Sequence, residues 1–173
     1  KRGIDAALEN YNKALSIDKK ESRAYLAIGR MYMDKTNFSD ARKYLLSAVK
    51  YSDNAWEANG ELGVLNELQG NYDRAIYRYV QALKINPSAE KYLRSVAHVF
   101  MKKKEYEKAV TYYQQLVAKH PGSARAHGEL GIAFTKMGRY YDAVSELKLA
   151  LQNDEDNLKY LTALGEAYLE LEK

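Results

Sequence analysis

A right-handed α-solenoid of antiparallel helix pairs is the fold class that this sequence predicts, on three observations. Small residues recur at an interval of 34: Ala7, Ala41, Ala75, Ala109 and Ala143 form one row, and Gly29, Gly63, Gly131 and Gly165 another, with Ala97 in the remaining place. A fixed period of this size marks a repeat array. Apolar residues recur at three and four, the spacing of one helix face, and no useful stretch alternates with the period of two that a strand needs. The only prolines, Pro87 and Pro121, are also 34 apart.

Each element follows from local chemistry. The run from Ala55 to Leu68 predicts a first helix that stops at Gln69-Gly70-Asn71, good turn chemistry. A second amphipathic run from Tyr72 to Ile85 stops at Asn86-Pro87, because proline disfavours helical geometry in the residue before it. Gly or Ala in the first helix and Ala in the second let the two axes approach closely. A third row, Ala14, Ala48, Ala82 and Ala150, with Leu116 in the gap, permits similar contact between units. Aromatic residues at Phe38, Tyr72, Tyr106 and Tyr140 open the second helices, so the chain's 16 tyrosines read as packing residues. One repeat domain over 1–173 results, with full units at 22–55, 56–89, 90–123 and 124–157. Residues 1–21 read as a second helix without its first, and 158–173 as a first helix without its second. Leu161, Leu164 and Tyr168 then face solvent or another chain, as in a fragment of a longer protein or a piece that stacks on a copy of itself.

Composition narrows the function classes. With no cysteine there is no disulfide, thiolate nucleophile or cysteine metal site. A surplus of four positive charges over 173 residues is mild, so the placement of charge must decide whether nucleic acid is a partner. No apolar run approaches the roughly 18 residues of a membrane span, and no leader pattern opens the chain. No residue pattern specifies a compartment; a soluble, cytoplasmic chain is the favoured expectation. His98, His120 and His127 lie 22 and seven apart, which suits no metal site, and His127 reads as a core histidine. The two Gly-Glu-Leu-Gly stretches, from Gly60 and from Gly128, fall inside predicted helices, where the N–H groups are already bonded, so neither is a phosphate loop. No enzyme activity, cofactor or metal is expected.

The pattern Asn59, Leu62-Gly63, Asn66, Ala75, Tyr79, Ala82 and Pro87 resembles the tetratricopeptide repeat family, as do Tyr25, Ile28-Gly29, Tyr32, Ala41 and Ala48. Leu93, Val96-Ala97, Phe100 and Ala109, and His127, Leu130-Gly131, Phe134 and Ala143, repeat it, so the resemblance covers the chain. It implies a concave groove lined by first helices, and partner contacts at set places along each of them. Carried over, the candidates are Arg23 and Arg30; Gly60 and Val64; Lys91, Arg94, His98 and Met101; Arg125, Gly128 and Ile132; and Lys159. The family's carboxylate clamp of Lys, Asn, Asn, Lys and Arg has no match in any frame, so a chaperone tail is disfavoured.

Two readings of Gly60 and Gly128 stand together. They open space beside Arg94 for an acidic segment, or they ease helix packing. The expected function is a non-catalytic adaptor that binds a protein or peptide segment, an acidic one being the finer reading. The alternative is a scaffold that self-assembles into homo-oligomers through its open repeat ends. Specific nucleic-acid binding is not expected, because Glu57, Glu61, Glu129 and Glu166 interrupt the basic ladder.

Overall fold

A computed structural model describes residues 2–173, with side-chain surroundings from residue 3 onward. The described residues form α1 (Arg2–Ile17), α2 (Ser22–Asp34), α3 (Phe38–Tyr51), α4 (Trp56–Leu68), α5 (Tyr72–Ile85), α6 (Glu90–Lys102), α7 (Tyr106–Lys119), α8 (Ala124–Lys136), α9 (Tyr140–Leu151) and α10 (Leu158–Leu171), with no strand among them. The all-α class expected from the periodicity is the class found. Among the described residues no helix is long and apolar enough to cross a membrane.

The turns repeat as faithfully as the helices. Thr36, Gly70, Lys104 and Gly138 all hold a left-handed φ, at 55°, 73°, 60° and 76°. One residue further on, the N–H groups of Asn37, Asn71, Glu105 and Arg139 donate to the carbonyls of Tyr32, Asn66, Phe100 and Phe134. This is the hydrogen bond that closes a helix C-terminus over a left-handed residue. It aims each second helix back along its first. Asn37 then accepts from the Asp40 N–H at 3.3 Å and caps α3. α5 and α7 end two residues before Pro87 and Pro121.

The chain groups into two compact units, Lys1–Tyr92 and Leu93–Lys173, which divide inside α6. We propose that the chain is nonetheless one repeat domain over 1–173, with unit boundaries every 34 residues. In the first unit α2 pairs with α3 and α4 with α5, around Ile28, Leu45, Leu62, Leu65 and Tyr79, all at most 1% exposed. Helix approach is close: a side chain on Gly29 would come within 2.7 Å of Leu45, and one on Gly63 within 2.5 Å of Tyr79. In the second unit α8 pairs with α9, and α10 packs on both. There a side chain on Gly131 would come within 2.6 Å of Leu147. Real side chains do not tolerate such distances, and forcing extra atoms into a filled core costs about 1–3 kcal/mol.

His127, on α8, is a core residue with two polar partners. Its Nδ1 lies 2.6 Å from Glu146 Oε2 on α9, and its Nε2 lies 2.8 Å from the Pro121 carbonyl. Both partners accept, and the protonated ring, with a donor on each nitrogen, satisfies both of them. Burial opposes that charge, but the Glu146 carboxylate and the Pro121 carbonyl outweigh it and raise the pKa above the ordinary histidine value.

Candidate functional site

In the first unit the polar face gathers on one carboxylate. Glu61, one turn into α4, is buried at 5% exposure. It accepts from Arg30 on α2 at 3.0 Å and from the Lys91 ammonium at 2.9 Å. Arg30 also donates to Glu57 at 3.0 Å. Tyr92 reaches the same place, its hydroxyl 3.3 Å from the Glu57 carbonyl. Burial of Arg30 opposes its charge, but Glu61 and Glu57 together hold its pKa above the ordinary value. Burial, helped by the Glu61 charge, drives the Tyr92 phenol upward, so it stays a neutral donor.

The second unit repeats the theme with different partners. Arg94, on α6, donates through Nε to Glu129 at 3.0 Å, and Arg125 donates to the other oxygen of Glu129 at 3.0 Å. Arg94 and Glu129 are largely sheltered, whereas Arg125 is 64% exposed. Tyr113 and Tyr160 both have raised pKa values, from burial first and the Glu129 charge second. Neutral phenols beside ion-paired carboxylates orient helices; they do not form an acid–base pair poised near neutral pH. Among the described residues no cluster of three or more His, Cys, Asp or Glu side chains could hold a metal ion.

A depression of about 410 Å³ lies between α8 and α10, lined by Ile132, Lys136, Leu158, Lys159, Thr162, Ala163 and Glu166. Lys136 pairs with Glu166 across it at 3.5 Å. Lys159 is exposed there, as is Leu158, at 79%.

The sequence candidates therefore separate. Arg30 and Lys91 come together on Glu61, Arg94 and Arg125 come together on Glu129, and Ile132 and Lys159 share the depression. Arg23 is exposed beside Trp56 in a hollow of about 340 Å³ at the start of α2 and α4. Val64 and Met101 are half-buried, and His98 is exposed. Gly60 and Gly128 require a correction: the cleft expected at their open sides is not there. Both are buried, and a side chain on Gly60 would overlap the Tyr92 ring, as one on Gly128 would overlap Tyr160. The packing alternative is the one realised, because each glycine is a socket for the tyrosine of the following first helix. Arg94 is sheltered beside Glu129, its ion-pair partner.

Sequence reasoning passed over Glu61, Glu129, Tyr92 and Tyr160 as centres of the site. A signal was present. At the fifth place of successive first helices stand Leu26, Gly60, Arg94 and Gly128, and at the third place of the next helix stand Ala58, Tyr92, Ala126 and Tyr160. Large follows small and small follows large, which is complementarity between neighbours written in one sequence.

Comparison with known proteins adds the family. A tetratricopeptide repeat family model matches residues 26–90, and a second matches residues 68–128 and 100–167. The general transcriptional corepressor trfA of Dictyostelium discoideum is 33% identical over 103 residues, which cover 57% of this chain and 7% of that protein. The chain thus spans a small part of that relative's length. The crystal structure of MamA is 28% identical with a TM-score of 0.78, covering 91% of this chain and 92% of that one. YrrB, described as a TPR protein with an unusual peptide-binding site, is 17% identical with a TM-score of 0.75, over 94% of this chain and 93% of that one, a likeness of fold alone. Together the family matches run over most of these paired helices, and the chain belongs to the tetratricopeptide repeat family.

Proposed function

We propose that the chain is a non-catalytic adaptor that holds a segment of a partner protein on its first-helix faces, with the depression between α8 and α10 as an anchoring place. At the level of the family it is a protein-interaction scaffold. The observation that carries the finer reading is the lining of that depression. Six of its seven residues, Ile132, Lys136, Lys159, Thr162, Ala163 and Glu166, stand at the contact places that the family resemblance implies. Ile132 and Leu158 suit an apolar side chain, and Lys159 suits a carboxylate beside it. The acidic variant of the reading is confined to the second unit, where Arg125 remains largely exposed. In the first unit Arg30 and Lys91 are already engaged by Glu57 and Glu61.

Phage display of random peptides against the immobilised protein tests this reading. Enriched peptides should carry Asp or Glu next to a large apolar residue. Lys159→Glu should weaken them more than tenfold, whereas Lys103→Glu, at the turn after α6, should leave them unchanged. Peptides of no common chemistry, or equal losses in both variants, overturn it.

A second reading, self-assembly, is favoured by apolar residues left bare on α1 and α10. Ile4, Tyr11 and Ile17 are exposed on the first helix, and Leu161, Tyr168 and Leu169 on the last.

A further inference from the structure

The chain carries four more basic than acidic residues, and the second helices show where that surplus lies. In the first unit α3 and α5 hold six cations, Arg42, Lys43, Lys50, Arg74, Arg78 and Lys84, against two carboxylates, Asp40 and Asp73. In the second unit α7 and α9 hold three of each sign. Two helices in the interior of the chain thus carry a surplus as large as that of the whole molecule.

The protein itself leaves this charge uncancelled. None of the six cations makes an ion pair among the described residues. Arg42 and Arg78 donate to neutral amide oxygens, of Gln69 at 2.5 Å and of Asn59 at 3.0 Å. Lys43 and Lys50 lie over the rings of Tyr44 and Tyr51, 5.8 Å and 5.1 Å from the centroids. Asp40, by contrast, already accepts from the Asn37 amide at 2.8 Å.

Lys43, Lys50, Arg74 and Lys84 are exposed, and three apolar side chains stand bare among them: Leu46 at 42%, Tyr77 at 60% and Ile85 at 47%. Leu46 lies one turn from both Lys43 and Lys50, and Tyr77 one turn from Arg74. Lys43 and Tyr77 are 34 residues apart, as are Lys50 and Lys84, so the two helices present matching faces. A nucleic acid or an acidic peptide would use the cations and leave the aliphatic residues in water. A bilayer uses both.

We propose that the exposed face of α3 and α5 rests on an anionic phospholipid surface, with its cations at the phosphates and Leu46, Tyr77 and Ile85 dipping among the headgroups. Anionic headgroups attract clustered Lys and Arg, and the boundary beneath them takes up apolar and tyrosine side chains. The contact is peripheral, since no described helix is long and apolar enough to cross a membrane. It uses second helices, whereas the adaptor reading uses first-helix faces, so the two do not compete for residues.

Co-sedimentation of the 173-residue protein with lipid vesicles tests this. The protein should pellet with phosphatidylcholine and phosphatidylserine in equal parts, stay in solution with phosphatidylcholine alone, and be released as salt rises. Lys43→Glu with Lys84→Glu should weaken binding more than tenfold. Lys108→Glu with Lys148→Glu, on α7 and α9, changes the net charge equally and should leave binding nearly unchanged. Leu46→Ser with Tyr77→Ser keeps every cation and should still weaken binding several-fold, because it removes apolar surface. Every altered side chain is exposed, so the helical signal should be the same in all three variants. Equal losses for the two charge pairs would mean attraction by net charge alone and would overturn the contact. So would undiminished binding of Leu46→Ser with Tyr77→Ser, no binding to the mixed vesicles, or capture of duplex DNA by this face in their place. Lys159→Glu alters no residue of this face and should bind vesicles as the unaltered protein does, so the adaptor reading is judged separately.

Discussion

The ring of Tyr92 occupies the space that a side chain on Gly60 would need, and Tyr160 does the same at Gly128. In each unit a tyrosine of one first helix is seated in a glycine socket of the helix before it. The carboxylate next to that glycine, Glu61 or Glu129, collects the cations around it. What reads in the sequence as basic residues interrupted by glutamates is, around Gly60 and Gly128, a pair of sockets with ion-paired rims.

Glycine at these places should therefore act oppositely to glycine on α10. Gly60→Ala and Gly128→Ala force a buried tyrosine to move, and each should lower stability by about 2 kcal/mol despite the better helix propensity of alanine. Gly165→Ala meets no neighbour and should raise stability by up to about 1 kcal/mol. Urea midpoints of the three variants check this; the same sign for all three would refute the socket.

Two of the four left-handed turn residues are not glycine. Thr36 and Lys104 hold φ of 55° and 60°, a region that disfavours side chains by about 1–2 kcal/mol. Thr36→Gly and Lys104→Gly should each stabilise by roughly 1 kcal/mol, with the larger effect at the β-branched Thr36. Gly70→Ala at the equivalent place should destabilise. Thermal unfolding of each single variant measures the difference.

His127 makes stability depend on pH in a stated direction. Its folded pKa is raised, so its contribution is complete below the unfolded value of about 6.5 and fades as pH rises through the folded value. The stability gap between the unaltered protein and His127→Asn should be widest near pH 6 and should narrow toward alkaline pH. A gap that widens as pH rises would mean that the ring is held neutral.

Much of this was legible in the sequence. Phe38, Tyr72, Tyr106 and Tyr140 were read as the residues that open second helices, and α3, α5, α7 and α9 begin on them. The rows of Gly and Ala gave the close helix approach, because a missing side chain is a local fact with one steric consequence. The site was less legible. Arg30, Lys91, Arg94 and Arg125 were read as a surface awaiting charge, yet their carboxylates come from helices about 30 residues away or from a helix's own next turn. Glycine cannot by itself announce whether its open side is a cleft or a socket. That depends on the size of the residue facing it, here Tyr92 and Tyr160.

The sequence by itself determined the helix pairs, their period, their stops and the family, since these follow from spacing and from the backbone limits of glycine and proline acting within one unit. Only the tertiary structure decided which charges cancel and which glycines are filled by a neighbouring ring. Those outcomes depend on side chains distant in sequence competing for the same few ångströms.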